Sequence, residues 1–195
     1  MVPVYQKDGT EIKKLVHESV MKVQQMVSPE TLPLIEETLL KIGMENLTLC
    51  EAMEISKEVV EEFYEQGYHF FQGGKFKDAL TIFNLLELFT GGSDPRITFA
   101  IPACYHHMKK YTEAAGYYMI YEALHPDEPL SYYHLYDCFK KMNQPLLAYN
   151  ALIQAKNLVE KEAKYEDLKI KINVELNHLK TLENGVQKNN KASVA

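Results

Sequence analysis

A spacing of 34 to 35 residues recurs through the middle of this sequence and constrains its fold more than any other feature. Ala79, Ala114 and Ala148 follow one another at this spacing, and each precedes a large apolar side chain by four residues. An aromatic residue stands nine positions before each alanine, at Phe70, Tyr105 and Phe139. Repeats of this length predict a pair of helices in each unit, with the small alanine where the two helices cross closely.

The composition agrees with an all-α chain. The 195 residues include 9 Gly and 8 Pro, fewer than average, and no strand-like alternation recurs. The repeat pattern resembles the tetratricopeptide repeat, which implies a superhelix of stacked helix pairs. We therefore predict an all-α fold, a tetratricopeptide-repeat superhelix of three helix pairs with N-terminal helices and a C-terminal capping helix.

The pattern also divides the chain into regions. The predicted boundaries are 1–58 for an N-terminal helical region, 59–157 for the three repeats (about 60–94, 95–128 and 129–157), 158–183 for the capping helix and 184–195 for a disordered tail. The first helix of the N-terminal region carries an apolar stripe at helical spacing, formed by Ile12, Leu15, Val16, Val20, Val23 and Val27. The capping helix carries a similar stripe that suits it to cover the last repeat.

Two cap signals lie within the N-terminal region. Ser28 followed by Pro29 predicts the start of a second helix, which we expect to stop at Gly43. Thr48 with Glu51 three residues later predicts a capping box. We expect this box to begin a third helix whose acidic face runs on to residue 65.

Charge and hydropathy exclude several classes of function. The formal net charge is −6 and the pI is near 5.7, so the chain lacks the basic surface that nucleic acid requires. No apolar run approaches the roughly 18 to 20 residues that cross a bilayer, so we expect no stable membrane association. The chain begins without the basic and apolar segments of a secretory signal, which predicts a cytosolic location.

The cysteines and histidines give weak signals for chemistry. The three cysteines, Cys50, Cys104 and Cys138, contain no Cys-x-x-Cys pair, which argues against a disulfide framework or a zinc site. Cys104 with His107 can be drawn as a nucleophile and base, but Cys104 and Cys138 occupy equivalent repeat positions, which favours packing.

A metal cluster can be drawn from His106, His107, His134 and Asp137. Adjacent histidines point about 100° apart on a helix, and no fixed ligand spacing is present. We therefore expect no enzyme, no metal site and no cofactor.

The first helix of each repeat pair lines the concave side of such a superhelix. By helical phase, ten side chains line this groove: Tyr64, Tyr68 and Phe71 from the first repeat, Phe99, Ala103, His106 and His107 from the second, and Tyr133, Asp137 and Lys140 from the third. The competing interpretation of the aromatic residues is ordinary repeat core. Because exposed aromatic patches usually mark a binding surface, we expect the groove to hold an extended apolar peptide.

Local sequence resembles one family of repeat proteins, the class II chaperones of bacterial type III secretion. The segment from Gly73 to Phe83 resembles the turn of that family's first repeat, and Ala103-Cys104 followed by residues 111–114 resembles the second. The resemblance covers residues 50–160. It implies a protein that binds an extended N-terminal segment of a hydrophobic translocator in the bacterial cytoplasm and keeps it soluble before export.

The same resemblance implies how the chain associates. The family's groove tyrosines correspond to Tyr64 and, conservatively replaced, to Phe71, and Tyr68 stands at a position that is also aromatic in the family. The family tends to form homodimers through its N-terminal helices, and the apolar stripe described above is available either for this or for packing on the chain's own repeats.

A general tetratricopeptide adaptor or scaffold that binds another peptide is the alternative. An adaptor that clamps an acidic C-terminus needs Lys and Asn at two positions of the first repeat, where this chain has Tyr64 and Tyr68. Such a clamp would weaken steeply with salt, whereas an aromatic groove would not.

Overall fold

The structure, a computed structural model, describes residues 9–160 and 163–192. Its helices are α1 (Gly9–Val23), α2 (Leu32–Glu45), α3 (Leu49–Ala52), α4 (Lys57–Gln72), α5 (Phe76–Thr90), α6 (Pro95–His107), α7 (Tyr111–Leu124), α8 (Pro129–Lys141), α9 (Pro145–Val159) and α10 (Glu166–Ala192), with a 3-10 helix at Ala163–Tyr165. The described residues contain no strand, and the predicted all-α fold is confirmed. None of these helices combines the length and the apolar character needed to cross a membrane.

Internal contacts divide the chain into two compact units, residues 1–97 and residues 98–195, and each is described by itself. In the first unit α1 packs on α2, α4 packs on α5, and the short α3 contacts both α2 and α5. In the second unit α8 packs on α7 and on α9, and α9 also packs on α10.

One type of turn ends the first helix of every repeat. Gly74, Lys109 and Asn143 stand at equivalent positions, and their φ angles are all positive, at 74°, 61° and 56°. A backbone hydrogen bond of 2.9 Å then closes each turn, from the N–H of Lys75 to Phe70, of Lys110 to Tyr105, and of Gln144 to Phe139. Helices commonly end at a residue with a left-handed backbone conformation, after which a backbone N–H bonds back to a carbonyl of the last turn. The sequence period is therefore a period of helix endings in the structure.

Small residues allow the helices of a pair to approach each other. The repeat alanines are buried, with Ala79 and Ala114 fully inaccessible and Ala148 5% exposed. In the first unit, a Cβ atom added to Gly67 of α4 would lie 2.9 Å from Cε1 of Phe83 on α5. The packing thus leaves no room for a side chain at this crossing.

The second helix begins and ends later than the sequence predicts. Ser28 does not cap it, because its hydroxyl hydrogen-bonds the Thr31 hydroxyl at 2.8 Å inside a turn, and α2 starts at Leu32. The helix also passes through Gly43, where an added Cβ would lie 2.7 Å from Cγ2 of Ile12 on α1. Gly43 therefore serves the close contact between α1 and α2, and the left-handed Asn46 ends the helix instead.

The predicted capping box is confirmed, but the helix that it begins is short. The N–H of Glu51 donates to Oγ1 of Thr48 at 3.3 Å, and the N–H of Thr48 donates to Oε2 of Glu51 at 2.7 Å. The helix ends at Ala52, Glu54 has a φ of 58°, and α4 begins at Lys57. The acidic face expected on one helix is therefore divided between α3 and α4.

The core of the second unit extends from α7 to α10. Buried side chains of α7, α8 and α9 form one cluster, to which α10 adds Leu168, Ile172 and Leu176. The helical backbone of α10 extends to Ala192, whereas the sequence predicts disorder from residue 184 on. No proline interrupts this segment, so the sequence contains no residue that must end the helix earlier. Residues 193–195 lie outside the described residues.

Candidate functional site

The first unit presents two tyrosines on one side of α4. Tyr64 and Tyr68 lie one helical turn apart, with parallel rings whose centroids are 6.4 Å apart. Tyr64 is half-buried and packs against Phe83 of α5 at 5.8 Å, and this burial raises the pKa of its hydroxyl. Tyr68 is 47% exposed. The pair is therefore anchored at Tyr64 and open to solvent at Tyr68.

Phe71 is the third aromatic residue predicted to line the groove in this unit, and its ring packs against Phe76. Its ring meets the edge of Phe76 at 5.4 Å and an interplanar angle of 70°, at the start of α5. Phe71 is half-buried. The side chain thus has a packing role between α4 and α5 as well as a partly accessible ring.

A charged group that the sequence interpretation missed covers Tyr64. The guanidinium carbon of Arg96 lies 4.5 Å from the centroid of the Tyr64 ring. Arg96 donates two hydrogen bonds of 2.9 Å to the carboxylate of Glu61 and a bond of 2.7 Å to Oδ2 of Asp94. These bonds lower the pKa of both carboxyl groups. Two signals could have drawn attention to the contact, because Arg96 is the only arginine in the sequence and Glu61 precedes it by 35 residues, one repeat length.

In the second unit, a hydrogen bond joins two of the predicted groove residues. Nε2 of His106 on α6 lies 2.7 Å from Oδ2 of Asp137 on α8. Since a carboxylate only accepts, Nε2 carries the hydrogen in this bond. The bond is the main cause of the lowered pKa of Asp137. The structure thus links the first helices of the second and third repeats through a polar pair.

His134, which the sequence suggested only as part of a metal cluster, lies among aromatic rings. Its ring is parallel to that of Tyr118 at 5.1 Å, and the rings of Phe99 and His106 meet it at 5.7 Å and 5.6 Å. Burial, reinforced by the neighbouring His106, lowers the pKa of His134 to about 4. The imidazole is therefore neutral at pH 7 and packs as an aromatic ring.

The remaining predicted groove residues of the second unit have different surroundings. Tyr133 is half-buried, with its ring 6.2 Å from that of His134, and Ala103 is also half-buried. His107 is exposed, and its ring lies 6.3 Å from His106. Phe99, His106 and Asp137 therefore form one connected group around His134, while His107 lies at its edge.

Lys140 faces the last helix. Its Nζ donates to Oε2 of Glu175 on α10 at 2.8 Å, and the hydroxyl of Tyr136 donates to the same oxygen at 2.5 Å. The Lys140 bond is the main cause of the lowered pKa of Glu175. The amino group of Lys140 therefore contacts α10 within the second unit, whereas the sequence predicts that this side chain lines the groove.

The buried thiols are unsuited to nucleophilic chemistry. Cys104 and Cys138 are fully buried, and burial raises the pKa of each thiol to about 12. A thiol with such a pKa stays protonated at neutral pH and is a poor nucleophile. Among the residues that the structure describes, no three His, Cys, Asp or Glu side chains are grouped so that they could hold a metal ion.

A separate apolar cavity of about 220 Å³ lies in the first unit. It is lined by Cys50, Ile55, Val59, Val60, Phe63, Leu85, Leu86 and Phe89. None of the predicted groove residues lines it. The cavity therefore lies apart from the Tyr64–Tyr68 pair.

Known proteins similar to this chain include a low calcium response locus protein and a type III secretion translocator chaperone. The chain is 24% identical over 157 residues to low calcium response locus protein H of Yersinia pestis. The match covers 80% of this chain and 91% of that protein. No protein-family model matches the chain.

Solved structures share the fold. SycD, the type III secretion translocator chaperone of Yersinia enterocolitica, superimposes with a TM-score of 0.64 at 23% identity, over 68% of this chain and 98% of SycD. PcrH of Pseudomonas aeruginosa, solved in a complex with the chaperone binding region of PopB, superimposes with a TM-score of 0.59 at 23% identity. The match covers 62% of this chain and 96% of PcrH. SycD has also been solved with a peptide of the translocator YopD and as an alternative dimer.

Proposed function

We propose that this chain, which has the fold of the type III secretion translocator chaperones, is itself such a chaperone. It binds an extended N-terminal segment of a hydrophobic translocator protein in the bacterial cytoplasm and keeps the translocator soluble until export. Relatives with the same fold hold segments of PopB and YopD, which supports this assignment.

The observation that carries the proposal is the exposed aromatic pair of α4. Tyr68 leaves 47% of its surface in contact with water, beside a Tyr64 ring that is fixed by its neighbours. Covering such a ring with an apolar peptide removes this surface from water, and the hydroxyl keeps a hydrogen-bonding group for the peptide backbone. A fixed ring also loses little entropy when the peptide binds.

We further propose that the His134 cluster of the second unit contributes to the same function. Phe99 and Tyr133 supply partly accessible rings, and Asp137 has a side chain that is 31% exposed beside His106. A carboxylate next to apolar rings can accept a hydrogen bond from a peptide N–H while the rings bury apolar side chains. Both surfaces suit an apolar peptide in extended conformation.

The proposed function requires binding alone. The buried, protonated thiols of Cys104 and Cys138 and the neutral His134 provide no activated nucleophile. We infer that the protein is not an enzyme and that it uses no cofactor.

Co-expression tests the function directly. The chain is produced together with each hydrophobic translocator encoded in the same genome, and the soluble fraction is purified through a tag on this chain. We expect one or two translocators to become soluble and to co-purify. Translocators that stay insoluble in every combination would contradict the proposal.

Tyr68→Ala tests the surface. Because nearly half of the Tyr68 surface is exposed, the substitution should reduce the co-purified translocator severalfold while leaving the melting temperature within a few degrees of wild type. Tyr149→Ala is a matched control, since Tyr149 on α9 is 46% exposed, almost the same as Tyr68. Equal translocator capture by Tyr68→Ala, Tyr149→Ala and the wild type would exclude Tyr68 from the binding surface.

A further inference from the structure

Arg96 is held in a single orientation by two carboxylates. Its two terminal nitrogens each donate to one oxygen of Glu61 at 2.9 Å, and its Nε lies 3.2 Å from both oxygens of Asp94. The planar guanidinium can satisfy both partners at once only in one plane. That plane places the guanidinium carbon 4.5 Å from the centre of the Tyr64 ring.

The network joins the beginning of α6 to the middle of α4. The backbone N–H of Arg96 donates to Oδ1 of Asp94 at 2.9 Å, so Asp94, which directly precedes α6, bonds both the backbone and the side chain of Arg96. Glu61 and Tyr64 lie three residues apart on α4 and therefore share one face of that helix. All four residues belong to the first unit.

Folding stability alone does not account for this arrangement. The side chains of Arg96 and Glu61 are 49% and 46% exposed, and ion pairs at such exposed positions contribute little to folding. What the network does fix is the position of the guanidinium over the Tyr64 ring. Phe83 packs against that ring from α5, and Tyr68 lies parallel to it.

We propose that Arg96 is a positioning residue for the peptide-binding surface: its guanidinium, fixed by Glu61 and Asp94, holds the Tyr64 ring in the orientation that cargo binding uses. This inference rests on the proposed chaperone function. It predicts that Arg96 acts through Tyr64, so that loss of the guanidinium weakens cargo binding only while the Tyr64 ring is present.

The test uses the full chain and two fluorescently labelled peptides. One peptide is the chaperone binding region of PopB, and the other is the N-terminal segment of the translocator that co-purifies in the experiment above. Arg96→Gln should weaken the binding of the peptide that the wild type holds by about tenfold, which is a usual coupling for side chains in direct contact. The melting temperature should stay near that of the wild type.

Lys41→Gln is the matched control. Lys41 also lies between two carboxylates of the first unit, with Glu37 at 3.2 Å and Glu54 at 3.6 Å. Its substitution removes the same charge from a similar setting, so cargo affinity should stay within about twofold of wild type. Arg96→Lys, which keeps the charge but cannot reproduce the planar fork, should fall between wild type and Arg96→Gln. If Arg96→Gln does not fold, Arg96→Lys is the variant compared with wild type.

A double substitution separates positioning from other roles. Tyr64→Leu removes the ring, and adding Arg96→Gln to it should change the residual affinity by less than about twofold. The same tenfold loss in the Tyr64→Leu background, or full affinity of Arg96→Gln, would overturn the assignment while leaving the chaperone function intact. Failure of the wild type to bind either peptide and to solubilise any translocator would overturn both.

Discussion

Gly67 shows at the scale of one residue how closely α4 and α5 pack. We expect Gly67→Leu to lower the free energy of unfolding by about 1–3 kcal/mol more than Gly116→Leu, because the new side chain must displace Phe83. An atom added at Gly116 on α7 meets nothing within 4 Å. Both substitutions gain similar helix propensity, so their difference in urea denaturation isolates the steric cost. Equal effects would show that the crossing can open without cost.

His134 predicts a dependence of stability on pH. Its pKa is lowered to about 4, against about 6.5 for an unfolded histidine. As the pH falls from about 6.5 to 4, the unfolded chain binds a proton that the folded chain does not, and stability falls by up to about 3 kcal/mol. The loss is complete once the pH is below both pKa values.

Chemical denaturation at a series of pH values checks this prediction. His134→Phe keeps a ring against Tyr118 and removes the titrating group, so its stability should fall less than that of wild type between pH 7 and pH 4. Parallel curves for the two proteins would contradict the burial of His134.

Helical phase was enough to predict that the Tyr68 side chain is exposed. It placed Tyr68 on the surface of α4 because exposure there depends on position along one helix. Helical phase did not predict that Arg96 contacts Tyr64, or that Lys140 bonds Glu175 of α10. Both contacts join residues more than 30 positions apart. Their geometry depends on how helices pack against each other, and the phase of a single helix carries no information about that packing.

At the scale of secondary-structure elements, α10 gives the clearest prediction. Ile172 is fully buried against the second unit, whereas Ile170 on the same helix is 55% exposed. We expect Ile172→Ala to lower the free energy of unfolding by about 2–5 kcal/mol and Ile170→Ala by less than about 0.5 kcal/mol. Urea denaturation measures both. Similar small effects would mean that α10 contributes little to the stability of the second unit.

The helices of the repeats were predictable because the alanines at 79, 114 and 148 and the aromatic residues nine positions before them recur at one spacing. The structure adds that a turn at Gly74, Lys109 and Asn143 ends the first helix of each repeat at the same spacing. In the N-terminal region the signals conflict. The capping box at Thr48 indicates where a helix begins but not how long it runs, and Glu54 turns left-handed after one turn. The sequence signals therefore predict the start of this helix but not its end.

At the scale of the whole molecule, we propose that the chain forms a homodimer through its N-terminal helices. Val16 and Val20 are buried in the first unit, yet Leu15 and Met21 of α1 and Leu34 of α2 remain 41%, 48% and 56% exposed. Exposed apolar side chains on neighbouring helices favour association. The alternative SycD dimer shows that a relative with this fold also pairs.

Sedimentation velocity tests the dimer. The wild type should sediment with the mass of two chains at micromolar concentration, and Leu15→Asp with Leu34→Asp should shift it to the mass of one, with unchanged circular dichroism. A wild type that has the mass of one chain at every concentration would overturn this proposal.

The burial of all three cysteines has a practical consequence. Cys50, Cys104 and Cys138 are each less than a tenth exposed, and burial raises the pKa of all three thiols. A maleimide dye should therefore leave the native cysteines untouched under folding conditions. Tyr149→Cys would then supply one reactive handle on α9, outside the proposed binding surface, and the anisotropy of a dye attached there would rise when a bound guest chain slows the tumbling of the protein.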